Sequence, residues 1–338
     1  MHMADALLSP AVGIAMDVVS AGALGFAATR VKKDGLSDKK IPLMGIAGAL
    51  VFAGQMINFT IPGTGSSGHI GGGILLSGLL GGAGAFISIA AVLIIQCLFF
   101  ADGGLLALGC NLFNMGVIPC LIIYPLLFKP LLRHGVSRSR LSIASVLCVM
   151  LALEIGAFGV VLQTFLSGVT TLPFGTFVLF MLPIHLAIGL VEGLVTAAVL
   201  SFVYSARPEI LDSAPKDGAT GQSGGVSAKK VFAALAALAV ITGGIFSLFA
   251  SQNPDGLEWS LENAGVELTE QDGLHKSAAE VQDTTALLPD YGFKNTNGDS
   301  GALGTSASGL AGATVTFALA GGVGFVISKI KRRRTNRN

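Results

Sequence analysis

Residues 70–100 read IGGGILLSGLLGGAGAFISIAAVLIIQCLFF, and the number of times this stretch crosses a bilayer decides the fold. It is apolar throughout and fits either one long span or two short ones, since a helix needs about 20 apolar residues to cross about 30 Å of hydrocarbon. Flanking charge settles the choice, because Lys and Arg accumulate in cytoplasmic loops. Arg30, Lys32, Lys33, Lys39 and Lys40 mark one such loop, and Lys129, Arg133, Arg138 and Arg140 mark another. An even number of crossings must separate them. Apolar runs at 42–60 and 105–128 supply two, so 70–100 adds none or two. Gly81, Gly82 and Gly84 offer a tight reversal, giving spans near 69–82 and 85–101.

Working outward, further spans fall near 11–28, 141–167 and 173–204, then 231–250 and 309–328. Seven helices precede the stretch 209–230, whose residues 209–227 are rich in Gly, Ser, Ala and Asp and read as a cytoplasmic linker. Two more follow it. Arg207, Lys229 and Lys230 fall inside, residues 252–308 outside, and the basic tail Lys329, Lys331, Arg332, Arg333, Arg334 and Arg337 inside. One topology satisfies every basic cluster, with the amino terminus extracytoplasmic and the carboxyl terminus cytoplasmic. Composition agrees: mean hydropathy is +0.73 and only 12% of residues are charged, half the usual share for a soluble domain. The 46 glycines point to helices packed through small residues. Ala11/Ala15 and Ala23/Ala27 form small-residue faces on the first helix that fit either a partner protein or internal packing. Cys97, Cys110, Cys120 and Cys148 sit in apolar sequence without a Cys-x-x-Cys spacing and read as small buried hydrophobes.

The chain starts Met1-His2 with no leader-like segment before the first span. A terminal amine, the amide nitrogen of residue 2 and that residue's imidazole Nδ1 can close fused five- and six-membered rings around one cation. Three nitrogens in a plane suit Ni(II) or Cu(II), and Co(II) less strictly. A fourth ligand is needed, and His69, expected at the same membrane face, is the candidate. Gln55, Asn58, Asp102, Asn111 and Asn114 gather at that face as well, and polar groups so placed line a cavity or hold helices together. His185 and Glu192 share a face of the seventh helix two turns apart, deeper in the membrane, either as gating groups or as a buried pair. Glu154 finds no partner in the sequence.

Together the start Met1-His-Met-Ala-Asp5, Gln55-Met-Ile-Asn-Phe59, Gly65-Ser-Ser-Gly-His69-Ile-Gly-Gly-Gly73, Asp102-Gly-Gly-Leu-Leu-Ala-Leu-Gly-Cys-Asn-Leu-Phe-Asn114 and His185-Leu-Ala-Ile-Gly-Leu-Val-Glu192-Gly resemble the CbiM/NikM family over residues 1–207. Asn253-Pro-Asp-Gly-Leu-Glu258-Trp-Ser and Pro289-Asp-Tyr-Gly-Phe293 resemble the PDGLE domain of the small N-type component. The resemblance implies an all-α integral membrane protein: a seven-helix bundle like other substrate-capture components at 1–208, a linker at 209–230, and a two-helix hairpin with an external loop at 231–338. It implies import of Ni(II) or Co(II), nickel favoured, as the capture subunit of an energy-coupling-factor transporter in the cell membrane. Metal ligands implied are Met1, His2 and His69, with Ni(II) or Co(II) as cargo and no bound cofactor. Met3 stands where an aliphatic residue is common and offers the site a soft thioether. Partners implied are a transmembrane coupling protein and ATPases, with no nucleic acid. The basic tail touches anionic lipid.

No G-x-x-x-x-G-K-[ST] loop is present, so the chain is expected to carry no ATPase of its own and no enzyme activity. H-E-x-x-H is also absent. Cobalt uptake for cobalamin synthesis and an ATPase-independent metal channel are the competing readings. The 252–308 loop carries ten carboxylates against Lys276 and Lys294, a surface that concentrates cations or simply solvates the loop. Affinity is expected to fall below about pH 6, where imidazoles gain charge.

Overall fold

Within hydrocarbon a backbone must satisfy its own hydrogen bonds, and this chain does so almost entirely as helices. The computed structural model describes residues 1–34, 40–212, 226–266, 273–294 and 301–335. The charges at Lys39, Glu267, Glu270, Asp272, Asp299 and Arg337, and residues 213–225 of the expected linker, lie outside the described residues. The helices are α1 (Pro10–Asp34), α2 (Lys40–Gln55), α3 (Gly73–Leu80), α4 (Gly82–Phe100), α5 (Leu108–Leu132), α6 (Arg138–Ser167), α7 (Phe174–Ala206), α8 (Ala228–Gly244), α9 (Gly256–Asn263), α10 (Leu274–Thr285) and α11 (Gly301–Thr335). Among the described residues α1, α4, α5, α6, α7 and α11 are long and apolar enough to cross a membrane. The chain is a multi-pass membrane protein.

The expected span at 69–82 is shortened. Its helix, α3, has eight residues and rises about 12 Å, reached through a non-helical segment at Ser67–Gly72. Such backbone is tolerated at depth only when buried in protein, and here side chains supply its partners: Gln55 Nε2 donates to Gly71 O, and Glu192 accepts from the Gly71 and Gly72 amides. The reversal into α4 falls at Gly81, whose φ of 81° suits glycine. Most of α5 has π-helical hydrogen bonding across Phe113–Phe128, with Pro119 and Pro125 inside, each removing an amide donor from the ladder.

Charge sorts to one end. Asp212 Oδ1 lies 2.6 Å from Lys40 Nζ and Oδ2 lies 3.1 Å from Lys129 Nζ, so residues from both basic loops meet on one carboxylate. Met1, His2, His69, Asp102 and Asp255 meet elsewhere, around a different cavity.

Both α8 and α11 pack on α2, and α8 passes α11 so closely that a Cβ on Gly309 would lie 2.1 Å from Gly243 O. Small residues permit that approach, as membrane helices require. Ala11 and Ala15 on α1 are exposed, whereas Ala27 is buried against the bundle. All four cysteines are free and buried.

Candidate metal centre

The amino terminus enters the protein instead of fraying from it. Met1 is 8% exposed and Met3 is fully buried. Asn111 clamps the segment, accepting from Met3 N at 2.8 Å and donating to Met3 O at 3.3 Å. Gly104 N donates to the same carbonyl, and Asp5 Oδ1 accepts from Ala107 N. The Gly-Gly of the 102–114 motif now has a reason, since a Cβ on Gly104 would fall 1.9 Å from Asp5 Oδ1. Gly104→Ala is therefore expected to displace the terminus and weaken Ni(II) binding by about tenfold or more, read by calorimetric titration of the purified chain. Unchanged affinity would show that the terminal clamp is dispensable.

So held, the Met1 ammonium donates to His69 Nε2 at 3.3 Å and to Asp255 Oδ2 at 2.6 Å. His69 Nδ1 donates to Ile70 O at 3.0 Å, which leaves the lone pair on Nε2. The His2 ring stacks on the His69 ring, centroids 5.1 Å apart at 22°. On its other edges His2 Nε2 donates to Gln96 Oε1 at 3.2 Å, and Nδ1 lies 3.3 Å from Asp102 Oδ1.

Burial sets the protonation of this cluster. It pushes the His2 imidazole below its ordinary range against the pull of Asp102. Burial opposes the charge of Asp255, yet the Met1 ammonium and His69 hold that carboxyl well below the usual range. The proton that stands between the Met1 amine and His69 Nε2 belongs to the amine.

Asp255 is the residue that sequence reasoning passed over, as one carboxylate among ten. It does three things at once. Oδ1 caps α9 through the Leu257 and Glu258 amides at 2.8 and 2.9 Å, Glu258 closes a capping box, and Oδ2 holds the ammonium. The loop before it docks beside His69, with Ser67 N donating to Pro254 O at 2.8 Å and Trp259 Nε1 donating to Thr64 O at 2.9 Å. The Asp-x-x-Glu spacing of a capping box was a signal for the helix start but not for its neighbour. Gln96 and Tyr291 were also missed: Tyr291 donates to Asp102 Oδ2 at 2.5 Å and accepts from Gln96, tying the two partners of His2 together.

A vestibule of about 850 Å³ opens onto the cluster, bordered by Gln55, Asn58, Asp102, Asp255, Glu258 and Tyr291 among others. Asn111 and Asn114, expected in that lining, are absent from it. Asn111 is spent on Met3, and Asn114 exchanges hydrogen bonds with Gln163 at 2.8 and 3.2 Å and borders a smaller cavity. Met3 Sδ faces Asn114 at 3.9 Å, so the thioether is engaged away from the nitrogen cluster. His185 and Glu192 do not pair with each other: His185 Nδ1 donates to Met181 O, and Glu192 holds Gly71 and Gly72. Glu154 Oε1 has no partner among the described residues. Among those residues no three His, Cys, Asp or Glu side chains form a metal site. Two of the nitrogens gathered here, the Met1 amine and the His2 amide, are main-chain groups, which such a set leaves out.

A membrane-embedded metal-transport protein is the class that this bundle and its buried nitrogen cluster define. The model of the family described as "Cobalt uptake substrate-specific transmembrane region", CbiM, matches residues 2–210, and that of the PDGLE domain matches residues 229–329. The chain belongs to the CbiM family of nickel and cobalt transport proteins and carries a fused PDGLE domain. A protein of Archaeoglobus fulgidus named "Putative fused nickel transport protein NikMN" is 30% identical over 98% of this chain and 99% of its own. The cobalt transport protein CbiM of Sorangium cellulosum is 31% identical over 51% of this chain and 76% of its own. A crystal structure of a truncated transition metal transporter superposes with a TM-score of 0.53 at 28% identity, covering 61% of this chain and 99% of that one.

Proposed function

We propose that this chain is the substrate-capture component of an ATP-driven, energy-coupling-factor importer for a divalent transition metal. Its amino terminus faces outward and its carboxyl terminus lies in the cytoplasm. Residues 1–208 form the capture unit, 209–230 a cytoplasmic linker, and 231–338 the PDGLE unit whose 252–308 loop lies outside. A coupling protein and ATPases in the same membrane supply the energy.

One observation carries the reading. The Met1 amine and His69 Nε2 stand 3.3 Å apart, and two adjacent ligands on bonds of about 2.0–2.1 Å would stand about 2.9 Å apart. A few tenths of an ångström bring both onto one ion. The His2 amide and Nδ1 complete four nitrogens, and a nitrogen plane favours Ni(II) over Co(II). The names of the fused relatives support nickel as well.

Charge supports reversible loading. Before binding, the ammonium contributes one positive charge beside Asp255. Afterwards a divalent ion and one deprotonated amide contribute the same, so Asp255 stays matched in both states. At about pH 7.5, above the ordinary imidazole range, each Ni(II) should displace about two protons, one from the amine and one from the amide. Calorimetric titration in buffers of different ionisation enthalpy counts them. Release of none, or of about four, would contradict this ligand set. Affinity should climb with pH over the same range.

A further inference from the structure

Behind the Met1–His69 cluster lies a cavity of about 20 Å³, bordered by Met1, His69, Met115, His185, Asp255 and Gly256. That is room for one water or one ion. His185 on α7 is 1% exposed, and its Nδ1 donates to Met181 O at 2.7 Å, which leaves the lone pair on Nε2. Nε2 is buried and has no hydrogen-bond partner among the described residues. A buried acceptor left without a donor destabilises the fold, so its retention calls for a ligand.

The neighbours of this nitrogen fit an ion in passage. Gly256 of the PDGLE loop closes over the ring, where a Cβ would lie 3.0 Å from Cε1 and 3.2 Å from Nε2. Two methionines, Met1 and Met115, border the cavity and bring soft, neutral thioethers that hold a late first-row ion weakly. A second cavity of about 20 Å³ shares Met1, Gly71, Met115 and Leu153 with the first and reaches Glu192. His69 and His185 also share one arrangement, each with Nδ1 bound to a backbone carbonyl and Nε2 left as a base.

The geometry points to His185 Nε2 as a second metal ligand, one step inward, which receives the divalent cation as it leaves the Met1–His2–His69 plane. This rests on the reading of that plane as the capture site. The test uses the full chain in cells of its own source, with the partners it has there, and follows uptake of radiolabelled Ni(II) alongside Ni(II) titration of the purified protein. His185→Phe keeps a ring of similar size without a donor and should lower uptake by about tenfold or more. Its Ni(II) affinity should stay within about threefold of the unaltered chain, a change of well under one decade. His185→Cys, which restores a metal-binding atom, should recover much of the lost uptake.

Unaltered transport by His185→Phe overturns the proposal, as does a Cys variant as slow as the Phe variant, which would assign the ring to packing. Joint loss of binding and uptake in His185→Phe also overturns it, placing His185 in support of the capture site. Failure of the unaltered chain to bind Ni(II) would instead remove the capture reading on which the proposal stands.

Discussion

A chain extended by several residues ahead of Met1 is expected to lose Ni(II) capture, with affinity down by about three orders of magnitude or more, equivalent to about 4 kcal/mol. Three of the four proposed donors lie on the first two residues, and extension turns the basic amine into an amide. The ion pair with Asp255 at 2.6 Å disappears at the same time. Space forbids a compromise, because Met1 is 8% exposed and its methyl lies so near α6 that a Cβ on Gly156 would come within 3.2 Å of it. The extra residues therefore have to push the terminus out, and His2 with them. Titration of Ni(II) into an amino-terminally extended chain, beside one extended at the carboxyl end, measures the effect. Trp259, the chain's single tryptophan, anchors the docked loop and gives a fluorescence signal for its release. Equal affinity in the two chains would remove the terminal amine from the site.

Glu192→Ala carries the second large effect, although this residue touches no proposed ligand. Its two oxygens accept from the Gly71 and Gly72 amides, both at 2.8 Å, and the side chain is 2% exposed. Removing it leaves two buried donors unsatisfied, a cost of roughly 2–6 kcal/mol. The segment that carries His69 would then find other partners, and Ni(II) affinity should drop by about a hundredfold. Glu192→Gln should fall between, since its amide oxygen accepts one bond while its NH2 group opposes the second donor. Titration of the three proteins gives the order, and an Ala variant that binds as tightly as the Gln variant would deny Glu192 this positioning role.

Several features of the site were legible in the chain because their causes are local. That Met1 and His2 carry three nitrogens able to close chelate rings follows from covalent geometry. Placement of His69, Gln55, Asn58 and Asp102 at the face of the terminus follows from span length and loop charge, and the vestibule gathers them. Other features depend on contacts that sequence position hides. Asp255 meets the amine across 254 residues, and Gln96 meets Tyr291 across 195. Asn111 and Asn114 share a helical face as read, yet they serve as clamps, because Met3 and Gln163 arrive from other elements to use their hydrogen bonds.

The amino-acid sequence by itself determined that the chain lives in a membrane, that 70–100 must turn back on itself, and that its first two residues carry nitrogens able to close chelate rings. Hydrocarbon thickness, the cost of burying charge and the bonds of two residues are enough for that. Tertiary structure alone decided that the third span is a short helix behind a buried segment, and that a carboxylate of the fused section closes over the terminus. Both outcomes satisfy buried polar groups with partners from remote parts of the chain, and such pairing exists only once the helices have packed.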